Sequence, residues 1–117
     1  MTNARIGAGA AALAVLSALT AAPAAHAATA VNGTATCKYH SYGALSRPVG
    51  MWAEAVGGGQ SGWASLTPNG TSSNFYYSTN GATKFVLHVG CGGTPQNWAV
   101  NQATAPVVGY TTVTITW

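Results

Sequence analysis

The chain has 117 residues, of which 4% are charged, and Glu54 is its single acidic side chain. Most hydrolytic and metal chemistry uses carboxylates in pairs or beside a histidine, so this composition argues against an enzyme and against a metal or cofactor site. After residue 27 only three side chains are cationic, too few for nucleic-acid binding, which needs a cluster of phosphate contacts.

Residues 1–27 have the pattern of a cleaved secretory signal peptide. Arg5 is followed by an uncharged, Ala-rich stretch from Ile6 to Leu19, and Ala25-His26-Ala27 is a small-x-small cleavage sequence. The apolar stretch is shorter than the roughly 20 residues that span a bilayer, although a retained N-terminal anchor is the alternative. We therefore expect a secreted, extracellular product, residues 28–117, that forms one domain and has no contact with the membrane after cleavage.

Residues 28–117 predict an all-β domain, because glycine, threonine and β-branched or aromatic residues dominate and no window has a convincing helical period. Turn residues separate the candidate strands. In chain order these are Thr34–Tyr39, Val49–Val56, Gly62–Leu66, Ser73–Thr79, Ala82–Gly90, Trp98–Asn101 and Tyr110–Trp117. About six or seven short strands predict a small antiparallel β-sandwich, with a small β-barrel as the alternative.

Asn80-Gly81 is a strong two-residue turn signal that predicts a hairpin between Ser73–Thr79 and Ala82–Gly90. In this hairpin Tyr76 faces Phe85, and alternation sorts the side chains onto two faces. The face predicted to lie in the core carries Tyr76, Phe85, Leu87 and Val89. The second face, interpreted as a solvent or contact surface, carries Phe75, Tyr77, Lys84, Val86 and His88.

The last strand alternates clearly. Val113, Ile115 and Trp117 share one face, and we expect Trp117 to be buried or docked. The threonines between them share the other face.

Cys37 and Cys91 are the only cysteines, and an oxidising destination favours a disulfide between them over two free thiols. The bond would tie the first strand to the end of the second hairpin strand. It would close a loop of about 55 residues, for which the chain-entropy estimate is roughly 4 kcal/mol.

The most distinctive run extends from Gly90 to Trp98. A Gly-rich loop pinned by Cys91 would present a binding surface, with the candidate residues Gly92, Gly93, Gln96, Asn97 and Trp98. The alternative is a tight strand connection in which the glycines supply positive φ and Trp98 packs on the disulfide.

Trp52, Trp63 and Trp98 suggest carbohydrate binding, since exposed indoles stack on pyranose rings. The shortage of acids argues against calcium-assisted binding. A core of this size also needs large side chains, so we expect two of these three tryptophans inside. Asn32-Gly33-Thr34 and Asn69-Gly70-Thr71 match the glycosylation sequon, but the leader looks bacterial and both are interpreted as turns.

No catalytic residues are predicted. His40 and His88 are the histidines of the mature chain, and nothing resembles the Gly-x-Ser-x-Gly elbow of a serine hydrolase. Both are interpreted as surface or hydrogen-bonded histidines.

The Ala-rich leader, the Phe75-Tyr76-Tyr77 and Phe85–Val89 segments and the Gly90–Trp98 run are similar to those of small secreted proteins of filamentous actinobacteria. In size, secretion and β-rich character the chain resembles the small adaptor subunit of Streptomyces umbrella toxin particles. The resemblance implies a non-enzymatic protein that links other secreted proteins. It also implies that Ala28–Thr36 adds as a strand to a partner; a disordered leader is the alternative.

The sequence therefore predicts a secreted adaptor that engages another extracellular protein through the second hairpin face and the Gly-rich loop. One alternative is a lectin-like module that binds cell-wall or other polysaccharide. Another is a small enzyme inhibitor whose Gly92–Asn97 loop enters an active site.

Overall fold

The computed structural model describes residues 27–117, so the predicted signal peptide lies outside the described residues except for its last position. Within this range the chain forms strands and no helix, and therefore contains no helix that is long and apolar enough to cross a membrane. The strands are β1 (Ala28–Lys38), β2 (Leu45–Ser46), β3 (Gly50–Val56), β4 (Gly62–Trp63), β5 (Ser65–Asn69), β6 (Ser72–Asn80), β7 (Lys84–Thr94), β8 (Asn97–Ala103) and β9 (Gly109–Thr116).

Two sheets pack face to face, which confirms the predicted all-β sandwich. The β1 sheet has the order β9-β1-β6-β5, with the short β2 paired to the end of β1. The β7 sheet has the order β4-β3-β7-β8. Neighbouring strands are antiparallel except for β9 and β1, which run parallel.

The predicted hairpin does not form, and that prediction is wrong. β6 pairs with β1 and β5, whereas β7 pairs with β3 and β8, so the chain crosses between the sheets after Asn80. Gly81 does take the positive φ of +88° that the turn signal requires. A hydrogen bond to β3 helps to hold this crossing: the Thr83 amide donates to the Val56 carbonyl at 2.9 Å. The Asn80-Gly81 sequence thus predicted a turn correctly, but it did not predict which strands β6 and β7 pair with.

This change of partners reverses the facing of β6 and leaves that of β7 as predicted. Three β7 side chains assigned to the core are fully buried: Phe85, Leu87 and Val89. Tyr76, expected beside them, is 52% exposed, whereas Phe75 is buried. Tyr77 packs against the core, where its ring meets Phe85 edge-on at 5.7 Å between centroids. Phe75 and Tyr77 therefore belong to the core side and not to a contact surface.

A buried disulfide joins the two sheets through the core. Cys37 in β1 and Cys91 in β7 are bonded with a Cα–Cα distance of 5.8 Å, which confirms the predicted pair. Both residues are fully buried. Each of the two strands lies inside its sheet with a neighbour on either side, so the bond connects central strands.

The first and last strands, β1 and β9, are neighbours in the β1 sheet. Val113 and Ile115 are buried and Trp117 packs against the core, as the alternation of β9 predicts. β1 begins at Ala28 and pairs with β6 over residues 28–35 on one edge and with β9 over residues 31–38 on the other. Ala28–Thr36 is therefore an ordered strand, and the expectation of a disordered leader is wrong. Strands of the same chain occupy both edges of residues 31–35, so a partner strand has no free edge to pair with there.

Two shorter predictions also need correction. The predicted strand Gly62–Leu66 divides at Ala64 into β4 and β5, which belong to different sheets. Asn32-Gly33-Thr34 is not a turn but the middle of β1, whereas Gly70 does form the turn between β5 and β6 with φ +65°.

We predict that Phe85→Ala and Tyr76→Ala differ strongly in stability. Removing the fully buried Phe85 ring leaves a cavity and should cost about 3–5 kcal/mol. Removing the exposed Tyr76 ring should change the free energy of unfolding by less than about 0.5 kcal/mol. Urea unfolding of both variants measures the difference. Equal losses would place Tyr76 in the core and contradict the crossing between sheets.

Candidate binding site: a tryptophan cleft on the outer face of the β7 sheet

Three indoles gather on the outer face of the β7 sheet and form a cleft. Trp52 in β3 and Trp63 in β4 are register partners whose rings meet edge to face at 4.9 Å between centroids. Trp63 also meets Trp98 of β8 edge to face, at 6.0 Å. The cleft has a volume of about 580 Å³, and we call it the tryptophan cleft. It is lined by Trp52, Trp63, His88, Pro95, Gln96, Asn97, Trp98 and Asn101.

The expectation that two of these tryptophans lie inside is wrong. Trp63 is 64% exposed, and Trp52 and Trp98 are half-buried against the sheet. Other large side chains fill the core, with Phe85, Met51 and Leu87 among the most completely buried. The three indoles are thus free to face a ligand.

A pair of glycines forms the floor beneath Trp98. Gly50 and Gly90 are register partners on β3 and β7. A Cβ on Gly50 would lie 2.6 Å from Cζ2 of the Trp98 indole, and one on Gly90 would overlap the same ring. The indole therefore lies where side chains would otherwise stand. Asn101 is the register partner of Gly90 on the other side, which brings its amide to the edge of this floor.

The end of β7 explains how Trp98 reaches the outer face. Gly92 and Gly93 have φ values of +71° and +78°, which favour glycine and interrupt the strand alternation. Gly92 consequently faces Trp117 on the core side, since an added Cβ would lie 2.7 Å from that indole. The Trp98 Nε1 then donates to the Pro95 carbonyl at 3.1 Å, which fixes the ring orientation. The predicted positive φ of the glycines is confirmed.

The single acidic side chain lies beside the cleft. His88 is the register partner of Trp52, and its Nε2 lies 2.8 Å from Oε1 of Glu54. Both side chains are partly exposed, at 31% for His88 and 51% for Glu54. Within residues 27–117 the hydrogen-bond partner of the His88 ring is Glu54, and no serine or threonine hydroxyl bonds it.

The structure brings together about half of the predicted binding residues. His88, Gln96, Asn97 and Trp98 line the cleft, and Gly92 and Gly93 shape the loop behind it. Lys84 is exposed at the opposite end of β7, where it pairs with Val56. Trp52 and Trp63 were considered for carbohydrate binding from the sequence but were not among the predicted binding residues, and Asn101 and Glu54 were missed. The signal in the sequence was the pair Gly50 and Gly90, which leaves room for an indole on the outer face. This signal can be recognised only when β3 is known to pair with β7.

We predict that Gly90→Ala destabilises the protein only while Trp98 is present. The added methyl group overpacks against the indole, which should cost about 1–3 kcal/mol. In a Trp98→Ala background the same change should be close to neutral, because the ring that it meets is gone. Urea unfolding of the two single variants and the double variant gives this coupling. An equal cost in both backgrounds would mean that the indole does not rest on Gly90.

Comparisons with models of protein families, with curated proteins and with solved structures find no match to this chain. The function is therefore argued from the geometry of the tryptophan cleft and the chemistry of its lining.

Proposed function

We propose that this protein is a secreted carbohydrate-binding protein whose tryptophan cleft takes a neutral polysaccharide. The exposure of Trp63 between two other indoles carries this proposal. A sugar ring has an apolar C–H face and a rim of hydroxyl groups, so it needs an aromatic surface with hydrogen-bonding groups at its edges. The cleft offers both, which is the usual composition of a small-molecule site.

The polar lining suits hydroxyl groups. Gln96, Asn97 and Asn101 each carry an amide that both donates and accepts hydrogen bonds, as a sugar hydroxyl does. The exposed Glu54 carboxylate beside His88 is a further acceptor at the edge of the cleft. These groups can bind a ligand that has no charge of its own.

The charges near the cleft argue against an anionic ligand. No lysine or arginine of the described part of the chain lines the cleft. Arg47 donates instead to the Gly70 carbonyl at 2.7 Å, beside a separate depression. Phosphate-rich or acidic polymers would meet the Glu54 carboxylate without a cluster of cations to offset it.

A protein adaptor is the second candidate, and an exposed apolar group favours it. Tyr42, in the connection between β1 and β2, is 84% exposed and stacks on Tyr39 at 5.3 Å between centroids. Leu45 nearby is also exposed. Such a group suits contact with another secreted protein, including the toxin-complex role that the resemblance implies.

We predict that Trp63→Ala strongly weakens polysaccharide binding without unfolding the protein. Binding to insoluble chitin, cellulose and peptidoglycan, with elution by soluble oligosaccharides, measures the affinity. The loss of an exposed anchoring indole should weaken binding by at least about tenfold. Urea unfolding should be nearly unchanged, because Trp63 contributes little to the core.

Tyr42→Ala is the matched control, since it removes an exposed ring that is not part of the cleft lining and should leave retention unchanged. Retention that survives Trp63→Ala would contradict the assignment to the cleft. Absence of binding to all three polysaccharides, together with capture of a secreted protein that Tyr42→Ala disrupts, would favour the adaptor.

A further inference from the structure

The outer face of the β1 sheet carries a row of side chains that folding does not account for. Tyr110 of β9 is the register partner of Asn32 in β1, and Asn32 is the register partner of Tyr76 in β6. Tyr110 is 71% exposed and Tyr76 is 52% exposed. Among the described residues neither ring pairs with another aromatic ring. Two large rings are thus left in water on interior and edge strands of a sheet.

The next row on the same face is made of hydroxyl and amide groups. Thr112, Thr34, Asn74 and Thr67 follow one another across β9, β1, β6 and β5. Asn69 donates from Nδ2 to Oδ1 of Asn74 at 3.2 Å, which orients that amide. We call the surface formed by the two rows the tyrosine face. It contains a shallow depression of about 490 Å³ lined in part by Asn32, Thr34, Asn69, Asn74, Tyr76 and Tyr110.

The spacing of the two tyrosines suits an extended ligand. They lie two strands apart, which corresponds to about 10 Å across the sheet. Asn32 stands between them with its amide exposed. An extended ligand that lies across the strands would therefore contact an aromatic ring, an amide and a second aromatic ring in turn.

We infer that the tyrosine face is a second carbohydrate site, which takes a neutral saccharide chain lying across β9, β1 and β6. None of the side chains in the two rows is charged, so the face matches a neutral ligand. A protein partner fits less well, because the core of a protein interface is a contiguous apolar patch, and here a polar side chain separates the two rings.

This site stands on observations separate from the tryptophan cleft. The cleft lies on the outer face of the β7 sheet and the tyrosine face on the outer face of the β1 sheet, and the core lies between them. The two surfaces point away from each other. With both occupied, one molecule would bridge two polysaccharide chains.

The test is a titration of the Trp63→Ala variant, in which the cleft is impaired, with soluble cello- and chito-oligosaccharides followed by amide chemical shifts. We expect saturable shifts at Asn32, Asn74, Tyr76 and Tyr110. A double variant, Tyr76→Ala with Tyr110→Ala, should weaken the affinity obtained from the Asn32 and Asn74 shifts by at least tenfold. Tyr42→Ala, which removes a more exposed tyrosine elsewhere, should leave them unchanged.

The possible outcomes separate this inference from the function proposed for the cleft. Shifts at the cleft of the unmodified protein without any at the tyrosine face would overturn the second site and leave the first. Shifts at the tyrosine face alone would sustain the second site and remove the first. Shifts there that depend on protein concentration without sugar would show that a second copy covers the face, and would overturn the inference, as would no shift with either sugar.

Discussion

The disulfide between Cys37 and Cys91 is the constraint on which the rest of the structure depends. It joins the interior strands β1 and β7 inside the core, and it closes a separation of 54 residues. The chain-entropy estimate for such a loop is roughly 4 kcal/mol. A domain of about 90 residues has a small core, so this contribution is a large share of its net stability. Because the two sheets are held from within, their outer faces need not be covered in order to fold.

The parts of the fold that depend on local pattern could be predicted from the sequence. Alternation in β7 correctly assigned Phe85 and Leu87 to the core, and alternation in β9 placed Val113 and Ile115 on one face, which is buried. The pairing of strands could not be predicted in the same way. Asn80-Gly81 reverses the chain in a hairpin and equally in a crossing between sheets, and only the non-local pairing of β6 with β1 distinguishes the two. One wrong partner was enough to exchange the faces of Tyr76 and Phe75.

The candidate site shows the same division between local and non-local information. Gln96, Asn97 and Trp98 were predicted because their run is unusual by itself. Two of the three tryptophans Trp52, Trp63 and Trp98 were expected inside because a small core normally uses its largest side chains. The alignment of Gly50 with Gly90 leaves space for the Trp98 indole on the outer face of the sheet. That alignment exists only once β3 and β7 are paired, and so does the contact between Glu54 and His88.

Glu54, the single acidic side chain, lies beside the tryptophan cleft. Cleavage of a glycosidic bond generally needs two carboxyl groups, one on each side of the bond, and the chain has one acidic side chain in total. That carboxylate is bonded to His88 at the edge of the tryptophan cleft, where it accepts hydrogen bonds but has no acidic partner. The tyrosine face, on the opposite side of the core, has no charged group in its two rows. Two aromatic, hydroxyl- and amide-rich surfaces on opposite sides of a disulfide-linked core would suit the proposed binding of neutral saccharide chains.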